Sequence, residues 1–323
     1  MPGGIHGVHA AISGRVFGAL GPAALPVRAM HDTIARGSYF GVRAGIALAG
    51  RVAGEAYARR AGQPNVHVVA ALNALWGDVL EGPLALGMTV RRRGEIVDLP
   101  TADRLAVFIH GLGETEFAWG REPYGDRLPG WTPAYLRYNT GRSISDNGAS
   151  LAELLAQSDA REIALIGHSM GGLVARAACH HGGDWTERVR LTVSLGTPHL
   201  GAPLAQAVHL ADHGLGVFPE TRPFANLLRR RSAGIRDLRH GFLLDEVPLL
   251  EGPTHCFVAA TVTRSPQHPV GRLFGDILVL APSASGRGHL TFHDGLELGG
   301  THHLALLNHP AIYDELVRWL APA

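Results

Sequence analysis

Cysteine is nearly absent: the 323-residue chain has two, Cys179 and Cys256. Each falls in an apolar stretch where a buried, reduced thiol is expected, so no disulfide framework is implied. Charge is sparse as well, with Asp, Glu, Lys and Arg making up 18% of the chain against a typical ~25%. Lys plus Arg number 29 and Asp plus Glu 28. No long basic run interleaved with aromatics occurs, which removes nucleic acid from the expected partners. The start, MPGGIHGVHAAISGRVFG, lacks the charged residues, unbroken apolar stretch and small-residue cleavage site of a secretory signal. A cytoplasmic location is therefore expected. Farther on, Arg36, Arg43 and Arg51 interrupt the apolar runs and leave AGIALAG as the longest there. That is far short of the ~20 residues that span a bilayer, so no transmembrane helix is expected in this part.

What the chain has in quantity is Gly and Ala, with hydrophobic residues at 46%. It can bury a large core and still keep apolar surface, a composition that leans towards a hydrophobic substrate. The length exceeds an average domain of ~100–200 residues, and one large domain with an extension is the natural division. Residues 1–83 read as a helical extension. From Leu84 the texture changes: LALGMTVRRRGEIVDL reads as two short strands turning at Gly94, followed by the apolar run Leu105–Ile109. Strand-like and helix-like runs then alternate. Strands are expected at 135–138, 162–166, 189–195 and 256–261, and helices at 148–157, 171–180 and 310–320. This alternation predicts an α/β fold with a mostly parallel sheet covered by helices on both faces.

Gly167-His168-Ser169-Met170-Gly171 fits the pattern G-x-S-x-G, between the strand EIALIG and the helix GGLVARAAC. In that context Ser169 must occupy a sharp turn of unfavourable backbone conformation, which small neighbours alone permit. The turn would expose its hydroxyl at the end of the sheet, with the helix N-terminus aimed at any oxyanion formed there. A glycine-rich turn with an incidental serine is the competing reading. Met170 supplies one candidate oxyanion N–H. Leu112, in the loop His110-Gly111-Leu112-Gly113 after the run ending at Ile109, supplies the other. His110 is a rival as a catalytic group, but it precedes the serine, whereas this fold orders its triad serine, acid, histidine. That order leaves His302, His303 and His309 as candidate bases.

The segments FIHGLGE, YNTGRSISDNG, IGHSMGGLVAR, SLGTPHLGAPL and THHLALLNHPAIYDELVRWL resemble the lipase and esterase branch of the α/β-hydrolases. The chain is similar in particular to bacterial triacylglycerol lipases and to hydrolases that deacylate lipid anchors. The resemblance spans residues 84–323, the expected catalytic domain. It implies an eight-stranded sheet, a lid after the sixth strand at about 203–252, no cofactor, and a hydrophobic ester or lipid as substrate. The family's histidine, followed by an aliphatic residue and a leucine pair before the last helix, matches His303. His309 is expected to cap that helix beside Pro310. Gly275-Asp276-Ile277-Leu278-Val279 resembles the family's acid loop, with Ile277 in place of its second glycine. That implies Asp276 as the acid, with Asp294 as the alternative, while Asp237 and Asp245 are expected to serve the lid.

The insertion after Leu195 carries Leu215, Val217, Phe218, Phe224, Leu227 and Leu228, together with Arg229-Arg230-Arg231, which read as a solvated helical turn or a contact for anionic head groups. In the extension, Gly37, Gly41 and Gly45 and then Gly50 and Gly54 recur every four residues, which would flatten one helix face. Tight helix packing, interfacial membrane contact and self-association remain open for it. No metal site is expected, because the adjacent histidine pairs 180–181 and 302–303 would point apart. Hydrolysis of a thioester, amide or polyester by the same triad, and a non-catalytic scaffold that keeps the fold, are the alternatives to carboxylic-ester cleavage.

Overall fold

The computed structural model describes residues 65–200, 232–240, 247–268, 275–276, 278–285, 290 and 293–321. The glycine-spaced segments of the extension, the apolar lid residues 215–228, the arginine run 229–231, Asp245 and Ile277 lie outside the described residues.

Eight strands form one sheet in the order β2-β1-β4-β3-β5-β6-β7-β8. They are β1 (Thr89–Arg92), β2 (Glu95–Val97), β3 (Arg104–Ile109), β4 (Thr132–Arg137), β5 (Glu162–His168), β6 (Val189–Leu195), β7 (Thr254–Thr261) and β8 (Asp294–Gly299). Strand β1 runs antiparallel to both its neighbours, and every other pairing is parallel. The hairpin at the antiparallel edge turns at Arg93 and Gly94, both with positive φ, as a tight two-residue connection requires.

The two central strands carry buried apolar runs, Leu105–Ile109 in β3 and Ile163–Ile166 in β5, because both faces are covered. Side chains alternate across the pleat. Leu105, Val107 and Ile109 meet Leu151, Leu155 and Val174, which belong to helices α2 (Ile144–Leu155) and α3 (Met170–His181). Ala106 and Phe108 face the other way, towards Trp119, Leu306, Ile312 and Leu316. The last two lie on the amphipathic C-terminal helix (Pro310–Trp319), whose N-cap is His309: its Nδ1 accepts the Ala311 N–H. Helices α2 and α3 approach closely at Gly148, where a Cβ would fall 2.6 Å from that of Ala177.

Two elements depart from the sequence reading. Strand β8 has no apolar run of its own, only Leu296 and Leu298, and it exists by parallel pairing of Asp294–Gly299 with Cys256–Thr261 at the sheet edge. Helix α1 (Val66–Trp76) lies within the stretch assigned to the extension, yet it buries Val69, Ala70 and Ala74. Ala74 belongs to the same core as the central strands. Asn65 caps the helix through the His67 N–H, and Asn73 ties it to Leu84 O and the Leu86 N–H at 2.6 and 2.9 Å. Asn139 Nδ2 donates to Gly77 O at the C-terminal end of α1. Among the described residues, no helix is long and apolar enough to cross a membrane.

Candidate active site

Ser169 stands between β5 and α3 with φ 52 and ψ −120. Apart from Arg93, it is the one described non-glycine residue with positive φ. The glycines around it are there for space. A Cβ at Gly171 would fall 2.1 Å from Ile109 O, one at Gly167 2.4 Å from Gly172 N, and one at Gly172 2.1 Å from Thr197 Oγ1. The Ser169 N–H donates to Leu195 O at 2.8 Å, which pins the turn to β6. The Ser169 side chain is half-buried and its hydroxyl makes no hydrogen bond among the described residues.

The loop after β3 lies against this turn. Gly111 donates to Glu114 Oε2 at 2.6 Å and Gly113 to Thr140 Oγ1 at 3.1 Å. The N–H of Leu112 between them is not taken up by the described residues. Met170 opens α3, where the first N–H groups have no helical acceptor. His110, the rival in the sequence, is fully buried with its ring stacked on Tyr138 at 4.4 Å. Burial lowers its pKa. Its main-chain carbonyl accepts from the Tyr138 hydroxyl at 2.7 Å.

Asp276 follows Gly275, whose φ is 56. One carboxylate oxygen accepts the N–H groups of Leu278 and Val279 at 3.0 and 2.8 Å. The other lies 2.6 Å from His303 Nδ1, and the His303 N–H donates to the Asp276 carbonyl at 3.2 Å. Both side chains are buried. With Nδ1 donating to a carboxylate, His303 Nε2 is left as an acceptor, the tautomer that a general base needs. Burial alone would lower the pKa of His303, but the charge and hydrogen bond of Asp276, with the charge of Glu114, raise it.

The remaining sequence candidates are engaged elsewhere. His302 is exposed and His309 caps the last helix. Asp294 accepts from Trp319 Nε1 at 3.0 Å and pairs with Arg318, which lowers its pKa. Asp237 accepts the Ile144 N–H at the start of α2. Sequence reasoning passed over Glu114 and His168, which stand in FIHGLGE and in the variable position before Ser169. His168 Nδ1 is 3.1 Å from Glu114 Oε2, and the ring of His168 packs on that of His303 at 4.6 Å between centroids. The signal available was their adjacency to the two motifs.

The PGAP1-like alpha/beta domain family matches residues 149–220, the stretch from α2 through the serine turn to beyond β6. No curated protein matches the sequence. Among solved structures the chain is similar to the mature form of Bacillus licheniformis lipase BlEst2, with 21% identity and a TM-score of 0.52 over 71% of this chain and 97% of that one. The propeptide form of the same lipase gives 22% identity and a TM-score of 0.50 over 70% of this chain and 52% of that one. At such identity the likeness speaks for the fold, and it agrees with the sheet order and the strand–serine–helix turn. The chain has the α/β-hydrolase fold.

Proposed function

We propose that the protein hydrolyses carboxylic esters of hydrophobic acyl groups through Ser169, His303 and Asp276. His303 Nε2 takes the Ser169 proton while Oγ bonds to the substrate carbonyl carbon. The carbonyl electron pair moves onto the oxygen, which accepts the N–H groups of Leu112 and Met170. Collapse of this intermediate breaks the bond to the alcohol, whose oxygen takes the proton from His303. Water then repeats the sequence on the acyl-enzyme, giving up a proton to His303 as it attacks. The carboxylic acid leaves and the Ser169 hydroxyl is restored. Asp276 holds the Nδ1 side of the His303 ring and stabilises the imidazolium.

The observation that carries this reading is the buried 2.6 Å contact between His303 and Asp276, beside a serine held at positive φ. A hydrophobic acyl group fits the apolar composition and the lipase-like fold. The test is a fluorophosphonate label located by mass spectrometry, run beside hydrolysis of a p-nitrophenyl ester. An adduct on Ser169 and loss of turnover in Ser169→Ala are the expected results. Well-folded protein without the adduct, or a Ser169→Ala variant retaining a tenth of turnover, overturns the reading.

A further inference from the structure

Two ionisable groups beside the nucleophile have no part in the steps above. Glu114 and His168 are withdrawn from solvent, with side chains 15% and 0% exposed. Glu114 Oε2 meets both His168 Nδ1 at 3.1 Å and the Gly111 N–H at 2.6 Å. On the opposite edge of the ring, His168 Nε2 stands 3.3 Å from the main-chain oxygen of His303. One chain of contacts thus runs from the loop that carries Leu112, through Glu114 and His168, to the backbone of His303.

A carboxylate and a carbonyl only accept hydrogen bonds. Both contacts of His168 are hydrogen bonds at once only for a ring with a hydrogen on each nitrogen, the form in which it would pair with Glu114 as an ion. Burial pushes the Glu114 carboxyl up, yet the charge and hydrogen bond of His168 and the Gly111 N–H hold it at about 2. The neutralisation matters for chemistry because the carboxylate and the nucleophile flank one glycine. A Cβ on Gly111 would be 3.0 Å from Glu114 Oε2 and 3.1 Å from Ser169 Cβ. An unpaired carboxylate so close would repel a developing oxyanion in a site of low dielectric. Paired with an imidazolium, it can anchor the loop without that repulsion.

We propose that Glu114 and His168 are positioning residues: an ion-paired strut that holds the oxyanion loop and the backbone of His303 in fixed relation to Ser169, with no net charge beside the oxyanion. The inference rests on the reading of Ser169, His303 and Asp276 given above. Small displacements of reacting groups are costly, and losses on the order of 10- to 100-fold in kcat follow from about 1 Å. Because the geometry matters most in the transition state, KM should change little. Among the described residues, the ionisable groups that face His303 are Asp276, Glu114 and His168. Glu114→Gln removes a negative charge from this set, so the acidic limb of kcat/KM moves to lower pH. His168→Gln leaves Glu114 without its counter-charge, so the limb moves to higher pH.

The experiment measures pH profiles of p-nitrophenyl butyrate hydrolysis for the full-length wild type, Glu114→Gln, His168→Gln and the double variant. The expected result is a kcat loss of roughly 10- to 100-fold in each single variant with KM within about twofold, limbs displaced in opposite directions, and a double variant no worse than the poorer single one. Wild-type kcat in either single variant, fully additive losses, or limbs moving the same way overturns the strut. Should Glu114→Gln not fold, the kcat and limb of His168→Gln decide alone. Fluorophosphonate labelling separates the two readings: no adduct on wild-type Ser169 defeats the underlying triad, whereas an adduct with unchanged kinetics in the variants defeats only the strut.

Discussion

His303 Nδ1 lies 2.6 Å from a carboxylate oxygen of Asp276, 27 residues earlier in the chain. Asp294, much nearer in sequence, is bound to Arg318 and Trp319 instead. Asp276→Asn should therefore cost on the order of 10⁴ in kcat, since an amide favours the wrong tautomer of the histidine. Asp294→Asn should keep most of the activity. Steady-state kinetics of the two variants check the assignment, and the reverse ranking would exchange the roles.

The raised pKa of His303 sets the sign of the pH dependence. A protonated imidazole cannot accept the Ser169 proton, so kcat/KM should fall as pH drops through a value above the usual ~6.5. Stability runs the other way. A pKa raised in the folded state contributes stability that is complete below the unfolded value and is lost as pH rises through the folded one. Activity and this stabilising contribution should cross in the same window. A profile of kcat/KM beside thermal melts, with His303→Ala as the control for the melts, measures both.

Ser169 pays for its exposure in backbone strain, and a glycine would not. Ser169→Ala keeps the strain, so its Tm should stay within about 1 °C of wild type. Ser169→Gly relieves a conformation worth ~1–3 kcal/mol, less the greater freedom of glycine in the unfolded chain. A net gain of about 1 kcal/mol corresponds to a Tm roughly 2–4 °C higher. Both variants should be inactive. Calorimetry that finds no difference between them would remove strain from the account of the turn.

Deleting residues 1–60 leaves helix α1 and its cap Asn65 in place, and turnover of a small soluble ester should be largely unchanged. Deleting residues 1–80 uncovers the core at Ala74. It also removes the Ala74 carbonyl from the Ser232 hydroxyl and the Gly77 carbonyl from Asn139. Each buried polar group left without its partner costs ~1–3 kcal/mol. A fall in Tm of several degrees or loss of soluble protein is expected for the longer deletion alone, and thermal melts with activity assays on both truncated proteins decide. Comparison of the shorter deletion on vesicle-bound lipid and on the small ester tests whether the extension contacts an interface.

The turn at Ser169 was legible in the sequence because its requirements are local. Gly167, Gly171 and Gly172 lie within a few residues of the serine, and an apolar strand and a helix flank it directly. The alternation of strand and helix was legible for the same reason, since the period of apolar residues belongs to each segment by itself. Strand β8 was not, because its stability comes from hydrogen bonds to β7 rather than from its own side chains. Nor was the burial of α1, which depends on Ala74 meeting a core built from later residues. Asp276 was implied by the resemblance of its loop, but its contact with His303, like that of Glu114 with His168, waited on the tertiary structure. Such pairs join residues tens of positions apart, and the contact of two distant side chains is set by where the sheet and its loops carry them.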